Sequence, residues 1–220
     1  LCLFDLDHTL LPLDSDHEFG EFLIRQGLAD AVQYRQTNDG FYQQYCEGTL
    51  VLDDYIRFTT SIWREMSPAE QMKLQQAFMD EVIYPAMQPQ AVELVERHRA
   101  QGDLLAIVTA TNEFVTRPIA DAFNVADLLA VRLVRDEQGR VTGDIDGVPS
   151  FREGKITRVE QWLADKGHQL SDFGRVSFYS DSPNDLPLLE RANDPVATNP
   201  SPSLETVALE RGWRVLRLFA

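Results

Sequence analysis

LCLFDLDHTLL, residues 1–11, begins as an apolar run and ends in two aspartates one residue apart. The run 1–4 has the composition of a buried strand, and it delivers Asp5 and Asp7 to one short turn. Two carboxylates in a partly dry site destabilise a fold unless a cation or a reaction requires them. An isolated D-x-D pattern is equally compatible with a solvated loop, so the rest of the chain decides between the two interpretations.

The bulk properties limit the possible partners. The chain has 220 residues, enough for one large domain or for one domain with an insert. Its 20 basic and 35 acidic residues give a net charge of −15, which argues against nucleic acid and anionic membranes as partners. Cys2 and Cys46 lack metal-ligand spacing and predict a reduced, cytoplasmic compartment. No membrane span or signal peptide is visible, and without an initiator Met we expect residues before Leu1.

Residues 13–85 differ in composition from the rest of the chain. They are rich in Gln, Tyr, Phe, Asp and Glu and predict four helices. The sequence SPAE at 67–70 is a good start signal, with Ser at the N-cap, Pro at N1 and Glu at N3. The first predicted helix has Ser15 or Asp16 as its cap and runs through Arg25. The others run from about 30 to 45, from about 53, and from 67 to a residue before Pro85.

From Pro89 onward, short apolar runs alternate with amphipathic segments. The continuous apolar run 104–108 predicts a strand that is buried on both faces. Residues 128–134 and 140–146, joined by a turn, predict a hairpin. The other predicted strands are 176–179, 195–198 and 213–219, and the predicted helices are 90–100, 112–123, 153–166, 185–192 and 203–211.

Strands that alternate with helices predict an α/β fold, a doubly wound, Rossmann-like parallel sheet with right-handed crossovers. The helical block interrupts the first βα unit, at the end of the sheet where a lid would cover a site. We therefore predict an α/β core of residues 1–12 and 86–220 that carries the catalytic site. An inserted helical-bundle cap of residues 13–85 would determine substrate specificity.

Four groups of polar residues fall at predicted strand ends or helix starts. They are Asp5 with Asp7, Thr109 after the run 104–108, Lys155 at a helix start, and the stretch 180–185. In this order and spacing the chain resembles the haloacid dehalogenase superfamily, in particular the helical-cap (C1) branch that includes phosphoserine phosphatase. The resemblance covers nearly the whole chain. The motifs D-x-D-x-T-L and D-x-x-N-D are specific in combination, whereas a lone Thr and a lone Lys are weak signals.

The resemblance implies a Mg²⁺ site. A carboxylate that approaches an anionic phosphate ester must be screened by a hard cation with oxygen ligands. Carried onto this chain, the ligands are the Asp5 side chain, the Asp7 backbone carbonyl and the Asp181 side chain. Asp185 would hold metal-bound water or orient the loop from outside the ligand set.

The resemblance also implies roles in hydrolysis for the side chains. Asp5 would be the nucleophile and form an aspartyl-phosphate. Asp7 would protonate the leaving alkoxide and then deprotonate the attacking water. Thr109 and Lys155 would hold the phosphoryl oxygens, and Asn184 would reach the phosphoryl group or tie Lys155 in place.

The weaker residues also have simpler interpretations. Taken alone, Thr109 fits a helix N-cap or a strand-end hydroxyl, and Lys155 fits a solvated helix residue. Asn184 and Asp185 fit caps of the helix that follows them. The coincidence of all four groups at strand ends, in the order of the family, favours the catalytic interpretation.

Two cap residues bear on the substrate. In phosphoserine phosphatases an acidic residue meets the substrate amine and a cap arginine meets its carboxylate, and by motif spacing these are Asp14 and Arg57. The equal alternative is that Asp14 caps a helix and Arg57 lies on the surface. This chain has TAT at 109–111 where that branch has Ser-Gly-Gly, and Ser180 and Ser182 where it has glycines, so the phosphate pocket is reshaped.

These residues predict a phosphoric monoester hydrolase that acts on a small phosphorylated metabolite. Phosphoserine, with an amine and a carboxylate, and histidinol phosphate, with an amine only, are the two candidate substrates. Asp7 favours phosphoryl chemistry, because halide displacement needs no acid for an alkoxide. The alternatives are a phosphotransferase or mutase of the same fold and a non-catalytic binding protein with a relic of the site.

Overall fold

Strands and helices alternate along residues 1–219, the part of the chain that the computed structural model describes. The strands are β1 (Cys2–Phe4), β2 (Leu105–Asn112), β3 (Asp127–Val131), β4 (Leu133–Arg135), β5 (Val141–Ile145), β6 (Ser177–Ser180), β7 (Asp194–Thr198) and β8 (Arg214–Leu216). The helices are α1 (Ser15–Arg25), α2 (Ala31–Glu47), α3 (Leu52–Thr60), α4 (Pro68–Phe78), α5 (Tyr84–Ala86), α6 (Pro89–Ala100), α7 (Glu113–Ala122), α8 (Glu153–Asp165), α9 (Leu186–Leu189) and α10 (Pro202–Glu210). A π-helical segment, Met79–Ile83, joins α4 to α5, and 3₁₀ turns lie at Leu170–Asp172 and Pro183–Asp185.

Six strands form one parallel sheet in the order β3-β2-β1-β6-β7-β8. The predicted doubly wound α/β fold is therefore confirmed. β1 lies between β2 and β6, with Phe4 opposite Ile107 on one side and Tyr179 on the other. The strand order reverses at β1, so the carboxyl ends of β1, β2 and β6 border the crevice where such sheets bind ligands.

The central strands are buried on both faces, which explains their continuous apolar sequence. Phe4 and Ile107 belong to a core that also contains residues of α1, α6 and α7. Leu3 and Val108 belong to a second core, with residues of α8 and α10. None of these four side chains is exposed. Helices pack on both faces of the sheet at β1, and this packing determines the position of the turn that follows the strand.

The helices between β1 and β2 match the predicted ones, with shifted ends. Asp14 caps α1, because its Oδ1 accepts hydrogen bonds from the backbone N–H groups of Asp16 and His17. The prediction of Ser15 or Asp16 as the cap is therefore wrong. The capping box of Ser67 and Glu70 is confirmed. The fourth helix continues past Pro85 through the π-helical segment, and the division into a core and a cap stays a prediction.

The predicted strand 128–134 is two strands that belong to different sheets. β3 pairs with β2 in the parallel sheet, whereas β4 pairs antiparallel with β5. Arg132 separates them, and its guanidinium contacts Asp146 at 3.2 Å. The predicted hairpin therefore forms from the second half of the run alone. The last strand also ends earlier than predicted, at Leu216.

None of the helices within residues 1–219 combines the length and the apolar character that crossing a membrane requires.

Candidate active site

The last residues of β2 and the loops after β1 and β6 meet at a cavity of about 260 Å³ that helical residues of segment 13–85 also line. The cavity brings together residues far apart in the sequence. Asp5, Asp7, Thr109, Asp181 and Asn184, all predicted site residues, line it. The remaining predicted residues of the core, Lys155 and Asp185, lie directly behind Asp5, as their contacts show.

Lys155 joins the ends of two strands through buried ion pairs. Its Nζ lies 2.9 Å from Asp5 Oδ1 and 2.7 Å from Asp185 Oδ1. Burial lowers the pKa of Lys155, but the charges of Asp185 and Asp5 outweigh it, so the ammonium form is strongly favoured. Burial raises the pKa of Asp185 to about 6 against the opposing charge of Lys155. The ammonium group therefore orients the Asp5 carboxylate at the cavity.

Asp185 is held on its other side by Ser180, whose hydroxyl donates to Oδ2 at 2.7 Å. Both carboxylate oxygens of Asp185 are thus occupied by Lys155 and Ser180, which removes this residue from the cavity wall. The simpler interpretations of Lys155 as a solvated residue and of Asp185 as a mere cap do not fit, because each is 2% exposed and bonded to the other.

One hydroxyl group, that of Thr9, lies between Asp5 and Asp181. The Thr9 hydroxyl lies 3.1 Å from Asp5 Oδ2 and 3.3 Å from Asp181 Oδ1. A hydroxyl has one proton, so it satisfies only one of these oxygens at a time. Burial, and then the charges of Asp5 and Asp185, raise the pKa of Asp181 well above its ordinary value. Lys155 pairs with Asp5 from behind, whereas no basic side chain among residues 1–219 forms an ion pair with Asp181, as expected for a carboxylate that ligates a hard cation.

The donor set fits Mg²⁺ in composition. Within residues 1–219 no three side chains of His, Cys, Asp or Glu come together as a metal site by themselves. The predicted set does not require three, since it combines the carboxylates of Asp5 and Asp181 with the backbone carbonyl of Asp7. Oxygen ligands of this kind, completed by water, are the ones that Mg²⁺ prefers.

Asp7 is fixed from two directions. The backbone N–H of Ser15, at the start of α1, donates to Oδ1 at 2.7 Å, and the Thr111 hydroxyl donates to Oδ2 at 2.9 Å. Burial and the charge of Asp14 raise the pKa of Asp7 to about 6, and the bonds from Ser15 and Thr111 oppose them. A carboxyl group poised near neutral pH suits proton transfer in both directions.

The two remaining phosphate-binding candidates lie at the cavity with different partners. Thr109 is buried, and its hydroxyl accepts a 3.1 Å hydrogen bond from the Thr111 backbone N–H. Asn184 Nδ2 donates to the backbone carbonyl of Tyr45 at 3.4 Å. The Tyr45 hydroxyl lies 3.4 Å from Ser182 Oγ, so the loop after β6 contacts α2 at this point. Among residues 1–219, Asn184 forms no hydrogen bond with Lys155, contrary to one of the two roles considered for it.

The two substrate-specificity candidates have different positions. Asp14 caps α1 and also lines the cavity, so both of its interpretations fit the structure. Arg57 does not reach the cavity, because its guanidinium forms a 3.0 Å ion pair with Asp144 on β5. The sequence shows an arginine in a helical segment. It does not show that this arginine pairs with an acidic residue 87 positions later, outside the cavity.

Four residues that shape the site were not among the predicted site residues. Thr9 and Thr111 lie within the motifs on which the resemblance rests, so their hydroxyl groups could have marked them as site residues in the sequence. Asn199 donates to the carbonyl of His8, which has a left-handed φ of 54°, and this contact stabilises the turn between Asp5 and Thr9. Asp16 is a buried carboxylate in the cavity wall, and no motif marks it.

Comparison with known proteins agrees with this geometry. Residues 2–190 match the haloacid dehalogenase-like hydrolase family. A histidinol-phosphatase from Neisseria meningitidis serogroup C (strain 8013) is 41% identical over 216 residues, which are 98% of this chain and 97% of that protein. A crystal structure of a protein with unknown function from Bordetella pertussis Tohama I superposes with a TM-score of 0.94, at 50% identity over 100% of this chain and 98% of that one.

A substrate-bound phosphoserine phosphatase superposes with a TM-score of 0.68, at 18% identity over 98% of this chain and 91% of that one, which supports the fold alone. The family match spans most of the chain and includes Asp5, Thr109, Lys155 and Asp181. The predicted resemblance is therefore confirmed. The chain belongs to the haloacid dehalogenase-like hydrolase family, and within it to the phosphoric monoester hydrolases.

Proposed function

We propose that this phosphatase hydrolyses histidinol phosphate, with Mg²⁺ and through an aspartyl-phosphate intermediate. One observation carries the choice of substrate: the described residues that line the cavity include no lysine and no arginine. They include five carboxylates, those of Asp5, Asp7, Asp14, Asp16 and Asp181. Such a wall favours a substrate with a cationic nitrogen and disfavours one with a carboxylate.

Phosphoserine fits this cavity less well than histidinol phosphate. Its carboxylate requires a basic partner, and Arg57 is paired with Asp144 outside the cavity. Histidinol phosphate carries an amine and an imidazole and no carboxylate, so it needs no such partner. The 41% identity to a histidinol-phosphatase over nearly the whole chain supports the same choice.

In the proposed mechanism Asp5, Asp181 and the Asp7 carbonyl would hold Mg²⁺. When bound there, the ion supplies positive charge that lets an anionic nucleophile approach an anionic phosphate. Lys155 orients the Asp5 carboxylate through its 2.9 Å contact with Oδ1. Asp5 attacks the phosphorus atom, and the bond to the leaving oxygen breaks as the aspartyl-phosphate forms.

Asp7 supplies the proton that the departing alkoxide needs. It then takes a proton from the water that attacks the phosphorus atom of the aspartyl-phosphate, which breaks the bond to Asp5 and releases inorganic phosphate. Its hydrogen bonds from Thr111 and Ser15 hold the carboxyl group in place through both steps. The Thr109 hydroxyl and the Asn184 amide line the cavity and would bind the phosphoryl oxygens.

Cys2 and Cys46 are both free, which supports the cytoplasmic location that we propose with this activity.

A substrate panel tests the proposal. Phosphate release from histidinol phosphate, phosphoserine, phosphoethanolamine and phenyl phosphate is measured with Mg²⁺ and with a chelator, without any added acceptor. We expect the highest kcat/KM for histidinol phosphate and no turnover after chelation. Arg57→Ala should leave the order of the substrates unchanged, since Arg57 lies outside the cavity. A higher kcat/KM for phosphoserine would reject the substrate, and release that requires an added acceptor would indicate a phosphotransferase.

Replacement of the nucleophile tests the intermediate. Asp5→Asn removes the attacking oxygen's charge while it keeps the size of the side chain, so it should abolish turnover and leave the protein folded. Circular dichroism and thermal unfolding give the control for folding. An Asp5→Asn protein with near-normal turnover would exclude Asp5 as the nucleophile.

A further inference from the structure

Asp16 is a buried carboxylate whose second oxygen has no partner. It lies in the first turn of α1, is 4% exposed and lines the cavity. Its Oδ1 is 3.5 Å from Asn112 Nδ2, a long contact. Its Oδ2 has no hydrogen-bond partner among residues 1–219. A buried carboxylate oxygen without a donor is unfavourable, so the position requires an explanation.

The local structure does not supply that explanation. Asp14, not Asp16, caps α1 and accepts both backbone hydrogen bonds at the helix start. Burial, and then the charge of Asp14, raise the pKa of Asp16 to about 8, although the nearby Tyr55 hydroxyl opposes them. Asp16 therefore reduces the stability of the free protein without any capping role. A group of this kind fits a binding site better than a folding element.

The neighbouring wall has the chemistry of a cation site. Phe41, Tyr42 and Tyr55 line the same cavity, and the rings of Phe41 and Tyr55 are 5.3 Å apart. Aromatic faces attract ammonium and imidazolium groups, and a carboxylate beside them adds a charged acceptor. The described residues of this wall provide no cation of their own for Asp16.

We propose that Asp16 is the specificity-determining residue of the phosphatase: its free Oδ2 accepts a hydrogen bond from a cationic nitrogen of the substrate. The site thereby selects phosphomonoesters with an ammonium or imidazolium group over neutral and carboxylate-bearing ones. This inference rests on the proposed hydrolytic function, but it does not require that the preferred cationic ester be histidinol phosphate. It concerns a different residue from Asp14, whose Oδ1 already accepts two backbone bonds.

The test compares Asp16→Asn with Glu18→Gln as a matched control. Both variants replace an acidic side chain in the first turn of α1 with its amide, but Glu18 does not line the cavity. The readout is kcat/KM for histidinol phosphate and phosphoethanolamine, each divided by the value for phenyl phosphate. Because a hydrogen bond to a charged group is strong, we expect Asp16→Asn to lower these ratios by about 10- to 100-fold, chiefly through KM. Glu18→Gln should leave them unchanged.

A second measurement needs no variant of Asp16. Histidinol, which has the cationic groups but no phosphate, should inhibit the wild-type enzyme competitively, and a neutral alcohol of similar size should not. Equal losses of Asp16→Asn on cationic and neutral esters, or equal inhibition by the cation and the alcohol, would overturn the inference. A preference for phosphoethanolamine that Asp16→Asn abolishes would support the inference and reject histidinol phosphate as the substrate.

Discussion

The Thr111 hydroxyl donates a 2.9 Å hydrogen bond to Asp7 Oδ2 and joins two residues that are 104 positions apart in the sequence. This contact connects the end of β2 to the turn after β1. The Ser15 backbone N–H holds the other oxygen of Asp7 at 2.7 Å. Thr111 stands in a motif that differs from its counterpart in phosphoserine phosphatases, and its added hydroxyl positions the carboxyl group that we propose as the general acid.

Loss of this hydroxyl should slow the step that needs an acid. Thr111→Val keeps the shape of the side chain but leaves Asp7 with one donor, and a hydrogen bond of this kind contributes about 1 kcal/mol. We expect kcat for histidinol phosphate to fall about fivefold to tenfold. For p-nitrophenyl phosphate, whose leaving group needs little protonation, the decrease should be smaller.

Thr111→Ser serves as the control, since it retains the donor and should have near-normal kcat. Equal effects of Thr111→Val on the two substrates would contradict the positioning role, as would equal effects of the Val and Ser variants.

Removal of Lys155 should destabilise the fold. Lys155→Met leaves the buried carboxylates of Asp5 and Asp185 without their cation, and breaking a buried pair on one side costs about 3–5 kcal/mol. The free energy of unfolding in urea measures the loss. The double variant Lys155→Met/Asp185→Asn should regain part of the lost free energy of unfolding, because it has one unpaired buried charge fewer.

Lys166→Met provides the matched control for this experiment. Lys166 pairs with Asp127 at 3.1 Å, but its side chain is 36% exposed, so its loss should cost at most about 1 kcal/mol. Similar losses for the two lysine variants would show that the pairs of Lys155 are not structurally important.

Binding of Mg²⁺ should stabilise the protein through Asp181. A ligand at a concentration a hundredfold above its Kd adds about 2.7 kcal/mol to the free energy of unfolding. We expect Mg²⁺ to raise the melting temperature of the wild type and not that of Asp181→Asn. Without Mg²⁺, Asp181→Asn should be the more stable protein, because the repulsion from Asp5 and Asp185 is removed.

Asp39→Asn is the control for Asp181, since Asp39 is exposed and lies outside the cavity. Its response to Mg²⁺ should equal that of the wild type. A stabilisation of Asp181→Asn by Mg²⁺ as large as that of the wild type would exclude Asp181 as a ligand.

The stability of the protein should depend on pH through Asp16. Folding raises the pKa of this carboxyl from 3.8 to about 8, so the folded state retains a proton that the unfolded chain releases. The contribution of Asp16 is therefore neutral below about pH 4, becomes unfavourable by up to about 1.4 kcal/mol per pH unit as pH rises, and levels off above about pH 8. Asp16→Asn removes this penalty.

Urea unfolding at several pH values measures the difference between Asp16→Asn and the wild type. We expect the two proteins to be similar near pH 4 and the variant to be more stable by a few kcal/mol near pH 8. Glu18→Gln should show no such trend. Parallel pH curves for Asp16→Asn and the wild type would contradict the buried, unpaired state of Asp16.

Much of the site could be predicted from the sequence, because its residues follow strands that are themselves recognisable. Asp5, Thr109 and Asp181 come at or near the ends of apolar runs, and parallel strands with their ends at one sheet edge necessarily bring such residues together. The order and spacing of the motifs then identified the family. Local pattern was sufficient here because the strand period and the strand ends are local properties.

The tertiary structure alone decided which partners the polar side chains find. Arg57 pairs with Asp144, the run 128–134 divides between two sheets, and the buried Oδ2 of Asp16 has no hydrogen-bond partner among residues 1–219. Each outcome depends on groups that are remote in sequence, and no local pattern encodes their distance. The sequence by itself therefore determined the sheet, the family and the acidic residues. Only the packing of the helices against the sheet decided which of those acids are neutralised and which face the cavity.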